Sequence, residues 1–595
     1  MKLPTLTEIV TTRDMVDAFG GYNHNLRIGN GEFYDTKNTT SSYYPLLSPR
    51  PKRGLYKEST SPITGIIEKD TLCHVEGDTF YVNDYPIDDD NFKLTIDYDE
   101  EGNIKPKNLI SMGAYVIIMP DKKYFNTKKH EDRGDIEKKI EPVGKVKFDL
   151  CKMDGEGYGV TTESIANPTA PGSPKNEQLW IDTSSVPHTL KQYSTSQEQW
   201  VAIPTTYIKI TFPGFGSESP IPFKEGDGVT ISGITEEGVT DLNNTMVVWA
   251  SGYNYIVVTG ILSKVTEQTV EKKGTFIVAT KMPEMDFVIE SKNRLWGCKY
   301  DVVDGVAVNE IYASKLGDFR NWNCFSGIST DSYVVSLGSD GVFTGAINHM
   351  GYPLFFKENC IHKVYGDTLP FGVQETACRG VQRGCSKSLS IVNEVLYYKS
   401  RSAICAYDGS LPVEVSSALG DVSYYNASAG TLGNKYYISM ADNTNTYHMF
   451  VYDTKMGIWH REDNTHALAF CTCRGNLYYI EGNAIKTVIG GENDTEDISW
   501  MAETGIIGVD MPDKKYISRI DIRLSLEMGA RLFFFIQYDS ARTWEHLFTM
   551  TGTTLKTFAI PIRPKRCDHL RLRIEGTGEA KIFSICKTIE QGSDL

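Results

Sequence analysis

Residues 310–325 read EIYASKLGDFRNWNCF. A strand-like start breaks at Leu316-Gly317-Asp318 and restarts with Phe319 and Trp322 around Arg320. A tight turn, an acid, a cation and two large aromatics in one loop fit an active-site loop, a ligand clamp or a structural corner. Residues 48–54, SPRPKRG, gather Arg50, Lys52 and Arg53. Such a run reads either as a solvated loop or as a strap docking on an acidic neighbouring subunit. The 12 cysteines are scattered and no C-x-x-C occurs. Cys471 and Cys473, two apart, share one face of a strand, but the paired spacing of zinc sites is missing. Reduced, buried thiols and no metal are therefore expected. His24, His349, His362 and His460 lie beside turns or aromatics, with no Ser or Cys at motif spacing. No catalytic residue is assigned on this basis. Neither a G-x-x-x-x-G-K-[ST] loop nor a strand-linked G-x-G-x-x-G is present, so no nucleotide or other cofactor is expected.

One further stretch, QYDSARTWE at 537–545, resembles the S-x-D-x-G-x-T-W Asp-box of sialidase-type propellers. Asp539, Thr543 and Trp544 match it, while Gln537 and Ala541 depart from it. Asp-boxes are structural turns, and the two carboxylates of a glycosidase cannot be picked out by motif among 76 acids. The exposed aromatics fit sugar stacking or burial between sheets. Burial is the expectation for Trp322 and Trp459.

The elements that must position these residues are strands. Helical periodicity is nearly absent, and short alternating or apolar runs are divided by Gly, Asn and Asp turns. Residues 288–301, 346–367, 389–409, 429–463 and 467–490 repeat one order of strands and turns, with a middle strand of paired aromatics: PLFF, VLYY, KYYI, NLYY. A repeat of this size with about four strands is the pattern of a β-propeller. In 451–459, VYDTKMGIW, a kelch-like Tyr-Asp ends one strand and Trp459 opens the next. An earlier copy lies at 63–127. The expected fold is all-β: an N-terminal arm (1–54), a discontinuous propeller (55–160 and 270–497), inserted β modules (161–269) and a C-terminal β-sandwich (498–595). The insertion opens with a Pro- and Ser-rich linker (166–178), and Trp180 and Trp200 are the expected core of its first meander.

At 595 residues the chain exceeds one ordinary core. Its formal net charge of −15 argues against a general nucleic-acid binder. The charge is uneven: from Ser499 onward there are 14 basic and 12 acidic residues, against 47 and 64 in the remainder. The N-terminus shows no apolar leader, and the longest apolar runs are too short to span a membrane. Folding in a cytosol without membrane insertion is the expectation.

The order of motifs resembles tail proteins of bacteriophages and prophages, most closely the tail-nozzle (tail-stabilisation) propeller of short-tailed phages. The residues that carry the likeness are Gly20, Gly21, Glu32, Phe33, Asp35 and Asn38 near the N-terminus. In the S-x-L-G-D-x-x-N-W loop they are Ser314, Leu316, Gly317, Asp318, Asn321 and Trp322. The likeness covers about two thirds of the chain. The insertion and the C-terminal sandwich depart from the minimal nozzle.

The resemblance implies a virion protein without enzymatic activity, assembled in the bacterial host cytoplasm. It would form a homo-oligomeric ring, a hexamer by family likeness, joined to other tail and portal-adaptor proteins. DNA would pass through the acidic lumen during ejection. A distal adhesin recognising a host surface glycan is the alternative, and a tail-associated depolymerase the third reading. Gly317, Asp318, Trp322, Trp459, Arg50 and Arg53 are the expected structural and assembly residues. The loop at 310–325 is expected to be a corner, with Arg320 facing solvent or a neighbouring subunit.

Overall fold

The computed structural model describes residues 11–591 apart from 99–101, 103, 304, 492–493, 497 and 511–513. The first ten residues of the expected arm and the last four of the expected sandwich lie outside the described residues. The fold is all-β. Among the described residues, seven four-stranded antiparallel sheets form the blades of a propeller. Their first strands are Ile63–Lys69, Asn108–Met112, Phe287–Ser291, Gly345–His349, Ser390–Val392, Tyr425–Leu432 and Phe470–Cys473. These strands follow one another around an axis, with Ser386–Ser388 standing between the fourth and fifth, and the seventh returns to the first. Blade seven takes only three strands from 470–487. Its fourth is Gly54–Glu58, paired antiparallel on Ala484–Thr487. The ring is thus closed by a strand from the other end of the chain, which ties the last blade to the segment leading into the first.

The paired aromatics explain the blades. PLFF, VLYY, KYYI and NLYY lie in the second strands of blades four to seven, where Phe355, Tyr398, Tyr436 and Tyr479 are buried. A second strand is covered by neighbouring blades on both faces, so it tolerates no polar alternation. The phenols keep partners: Tyr398 donates to the Arg379 carbonyl (2.6 Å) and Tyr436 to the Ser388 carbonyl (2.8 Å). Both carbonyls belong to the loop from blade four to blade five, which is pinned from beneath. First hairpins turn through two left-handed residues: Lys292–Asn293, Met350–Gly351 and Asn393–Glu394 in blades three to five. This is the turn geometry that matches strand twist.

The inserted module begins earlier than its linker suggests. Lys139–Ile140 pairs with Ile277–Ala279, so the stem lies at 139–140 and 277–279. Its core gathers Val146, Phe148, Ile208, Ile210, Ile256 and Val278. The meander Leu179–Asp182, Thr189–Ser194, Gln199–Ala202 branches from it, with Trp180 and Trp200 in edge contact at 5.3 Å.

The C-terminal unit is a sandwich made by folding one sheet. The 24-residue strand Lys515–Tyr538 pairs with Ala580–Gln591 through its first half and with Leu570–Thr577 through its second. It is completed by the N-terminal segment: Thr11–Val16 pairs with Ala580–Gln591, and Glu32–Lys37 with Ser499–Thr504. Gly21–Tyr22 then joins Glu32–Lys37 to Ile458–Arg461 of blade six. The sandwich is therefore not independent of the rest of the chain. One sheet runs from it into the propeller, because the N-terminal strands supply the missing partners.

A buried imidazole in this weld sets a pH response. His460 is bonded to Thr39 Oγ1 at 3.0 Å, and burial, with Lys435 nearby, pushes its pKa down to about 3. In the unfolded chain a histidine takes up its proton near pH 6.5. The folded pKa is the lower one, so the stability conferred is present above about 6.5 and is lost as pH falls toward 3. Stability should decline between pH 6.5 and 4.5 with a slope approaching about 1.4 kcal/mol per pH unit for one such group. His74, whose pKa burial lowers to about 4, adds to it with the same sign. Urea titrations at a series of pH values should show a shallower decline in His460→Gln. An unchanged slope in that variant would assign the acid response elsewhere.

Candidate functional site

The loop at 310–325 is a corner, and it carries a second load. Gly317 sits at φ 73° and makes the turn. Phe319 and Trp322 are buried among Ile110, Met112, Ile117 and Met119 of blade two and Val288 and Leu295 of blade three. Trp322 donates its indole N–H to the Phe319 carbonyl at 2.8 Å. Asp318 accepts from the Arg320 amide (3.2 Å) and pairs with Lys224 of the insertion (3.3 Å). Burial raises the Asp318 pKa, but Lys224 and Arg320 outweigh it and leave the carboxyl below its usual range. Arg320 lies 5.4 Å over the rings of Phe319 and Tyr124, so its expected solvent- or subunit-facing role is replaced by a stacked, half-buried one. Asn321 receives the insertion: its Oδ1 accepts from the Gly228 amide (3.1 Å) and its Nδ2 donates to the Gly226 carbonyl (2.6 Å). Gly228 is glycine because a Cβ there would lie 2.2 Å from the Asn323 carbonyl.

The basic strap is internal. Arg50 and Arg53 are buried against Glu462, Asp463 and Glu496 of their own chain, which corrects the docking role on a neighbouring subunit. Trp459 is buried in the core shared by blades four to six and donates to the Val415 carbonyl at 2.7 Å. Asp539, in the Asp-box-like stretch, sits in a left-handed turn and accepts from the Asp568 amide at 2.7 Å, while Arg573 stacks on Trp544 at 4.1 Å. All of this is structural.

The residues able to meet a ligand lie elsewhere. A cavity of about 350 Å³ follows the propeller axis, lined mainly by apolar side chains such as Ile66, Leu109, Ile347 and Leu389, with a few hydroxyls and with Lys387 and Lys107. Lys107 is neutralised by Asp97 (3.0 Å) and Asp121 (2.6 Å). Among the described residues no carboxylate lines this cavity, so two-carboxylate chemistry finds no support there. The larger opening, about 950 Å³, spans blades four to six. The turns between second and third strands and the loops between blades build it. Its walls carry Glu358, Glu414 and Asp421 beside Arg379 and Arg401, and its floor carries Lys399 and Tyr424.

Arg379 and Glu414 pair at 3.1 Å, both about half exposed, an arrangement of little energetic weight. Among the described residues Arg401 and Asp421 have no ionic partner. Lys399 is buried and donates to Gln382 Oε1 at 2.8 Å, and burial lowers its pKa. The repeat holds a signal for this floor. VLYYK ends a second strand in Lys399 and PLFFK is followed at the same place by Lys357, and each lysine donates to one side chain and one backbone carbonyl, though of the two only Lys399 lines the cleft. The rest of the cleft comes from separate blades and forms no motif. Its mix of carboxylates, guanidinium groups and hydroxyls suits a hydroxyl-rich ligand, which needs donors and acceptors together.

Neither a family model nor a curated protein matches the chain. Among solved structures it is similar to an exo-β-1,3-galactanase from Phanerochaete chrysosporium (8% identity, TM-score 0.22, covering 50% of this chain and 94% of that one). It is also similar to an acylaminoacyl peptidase from Pyrococcus horikoshii (11%, 0.22, 53% and 55%). A third match is the sialidase of Trypanosoma rangeli (9%, 0.20, 83% and 93%). These are hydrolases, and none is a tail protein. The expectations of a nozzle ring and of a chain without enzymatic activity are corrected on that finding. Likeness at this level transfers no residue, substrate or reaction to this chain.

Proposed function

We propose that this chain engages carbohydrate, with the cleft across blades four to six as its site, and that it does so on a phage tail as a receptor-binding protein for host surface glycan. The observation that carries the reading is the cleft itself: three carboxylates and two arginines around one open, polar cavity, with unpaired Arg401 and Asp421 on its walls. The tail setting rests on the resemblance of the N-terminal segment and of the 314–322 loop.

A glycan array followed by calorimetry tests the proposal. Arg401→Ala and Asp421→Asn should each weaken glycan affinity by about tenfold or more, since a hydrogen bond to a charged group contributes about 1.5–3 kcal/mol. Both side chains are exposed, so melting temperature should not move. Absence of retained glycan in the wild type sinks the proposal. A second reading, cleavage of the bound glycan, is favoured by the three carboxylates sharing the cleft, because glycoside hydrolysis uses a carboxylate pair. Reducing-sugar release lost in Glu358→Gln, Glu414→Gln or Asp421→Asn would establish it.

A further inference from the structure

The outer half of blade four brings together three side chains of metal-binding type. Cys360 and His362 lie two apart on Cys360–Tyr365, so both project from one face of the strand. Glu375, on the adjacent Gly372–Ala377, stands directly opposite His362 in the antiparallel register. A thiol, an imidazole and a carboxylate each present a ligand atom here, and the three atoms lie within 4.8 Å of one another. His362 is fully buried and Cys360 nearly so, whereas the Glu375 side chain is 47% exposed. The sheet therefore fixes two ligands, and the third closes from the solvent side.

As a purely structural group the trio is poorly satisfied. His362 Nε2 is 2.9 Å from Ser339 Oγ and 3.4 Å from Glu375 Oε2, but its Nδ1 is buried without a hydrogen-bond partner. Thiolate, neutral imidazole and carboxylate are together the donor set of zinc, while the hard ions calcium and magnesium take oxygen ligands. With metal–ligand bonds of roughly 2.0–2.3 Å, the ligand atoms of a tetrahedral site stand about 3.3–3.8 Å apart. Closing to that spacing takes about 1 Å, a movement open to the exposed Glu375 side chain.

The cation that would compete is Lys357, and it is already engaged. Its ammonium donates to Asn309 Oδ1 (3.0 Å) and the Ser339 carbonyl (2.8 Å) and lies 4.8 Å over the Phe343 ring.

We propose that Cys360, His362 and Glu375 form a three-ligand site for a zinc-class divalent cation, with the fourth position left to water. Binding releases the Cys360 thiol proton to solvent. The ion would tie the third strand of blade four to its fourth. Cys360 follows Asn359, and Glu375 precedes Ala377 by two residues. Asn359 and Ala377 both line the cleft, so the ion would stiffen that wall.

The test uses the full-length protein stripped with a chelator and titrated with Co²⁺. One equivalent should give a sulfur-to-cobalt charge-transfer band in the near ultraviolet, displaced by Zn²⁺. Cys360→Ser should abolish the band, and Cys471→Ser should leave it. Glu375→Gln, at an exposed position that does not endanger folding, should weaken Zn²⁺ binding by at least about tenfold, since even loss of an outer-shell partner costs that much. No band in the wild type, a band retained by Cys360→Ser, or unchanged Zn²⁺ affinity in Glu375→Gln each overturns the site. None of these readouts involves glycan, so the outcome is separate from that of the cleft.

Discussion

Trp322→Ala is expected to destabilise the propeller by about 3–5 kcal/mol, the range for truncating a buried Phe or Trp. The indole is only 4% exposed and fills the space between blades two and three together with Phe319. Its removal leaves a cavity lined by aliphatic side chains from two different sheets, which strand hydrogen bonds hold in place and which cannot collapse freely. Neighbouring positions should rank below it. Asn321→Ala leaves the Gly228 amide without its partner and the Gly226 carbonyl with Lys315 as its remaining donor, at about 1–3 kcal/mol. Its effect should appear first as loosening of the insertion, read by proteolysis within 139–279. Asp318→Ala removes a turn cap and a partly exposed ion pair, at about 0.5–2 kcal/mol on the scale of helix caps. Equilibrium unfolding of the three variants beside wild type gives the ranking. A Trp322→Ala protein that unfolds like wild type would show that the indole is not a wedge, and the loop would return to consideration as a binding site.

What the sequence made legible is what is local. Each blade is a run of adjacent strands joined by short turns, so the paired aromatics of PLFF, VLYY, KYYI and NLYY and the Gly and Asn turns between them report the propeller directly. The 314–322 loop is equally local, and its corner role followed from the turn and the two aromatics. Pairings between distant segments left no such trace. Gly54–Glu58 closes blade seven against Ala484–Thr487, and Thr11–Val16 pairs with Ala580–Gln591. Nothing in a five- or six-residue strand names a partner more than 400 residues away. The insertion was misplaced at its start for a related reason. Its Pro- and Ser-rich stretch is a loop inside the module, while the stem is a two-residue strand pair with no compositional mark. The cleft was invisible because Glu358, Arg401 and Asp421 come from different blades and meet only when the ring closes. The Cys360–His362 spacing was readable, but Glu375 joins them through register alone.

Glu462→Ala is expected to cost about 3–5 kcal/mol, the penalty for leaving buried charge without its partner. Arg53 Nη2 meets Glu462 Oε2 at 2.7 Å, and its Nη1 meets Asp463 at 2.7 Å. Arg50 forks onto Glu496 at 2.7 and 3.1 Å, while its Nε donates to Asn38 Oδ1 at 2.9 Å. The side chains of Arg50, Arg53 and Glu462 are 8% exposed or less. With Glu462 gone, two buried guanidinium groups would share Asp463 and Glu496, whose side chains are partly exposed. Burial alone would depress the Arg53 pKa, but Glu462 and Asp463 raise it above its ordinary value. Glu462→Ala removes the larger of these two supports, but an arginine stays protonated in proteins, so the variant cannot relieve the cost by losing a proton.

The strap leads directly into Gly54–Glu58, so the same change should free the strand that closes the ring. Protease cleavage near 54–62 should then appear at denaturant concentrations where wild type is intact. Acid should mimic the variant in part. Burial pushes Asp463 up, but Arg53 and Thr465 hold it below the usual carboxylate range. The stability it confers is present above its unfolded value near 4 and is lost as pH falls below that. Arg379→Ala, which breaks a half-exposed pair, should cost under about 1 kcal/mol and serves as the comparison. Had Arg50 and Arg53 served a neighbouring subunit, Glu462→Ala would change assembly and leave the unfolding midpoint of the chain alone. That pattern, with wild-type protection of 54–62, would disprove the internal strap.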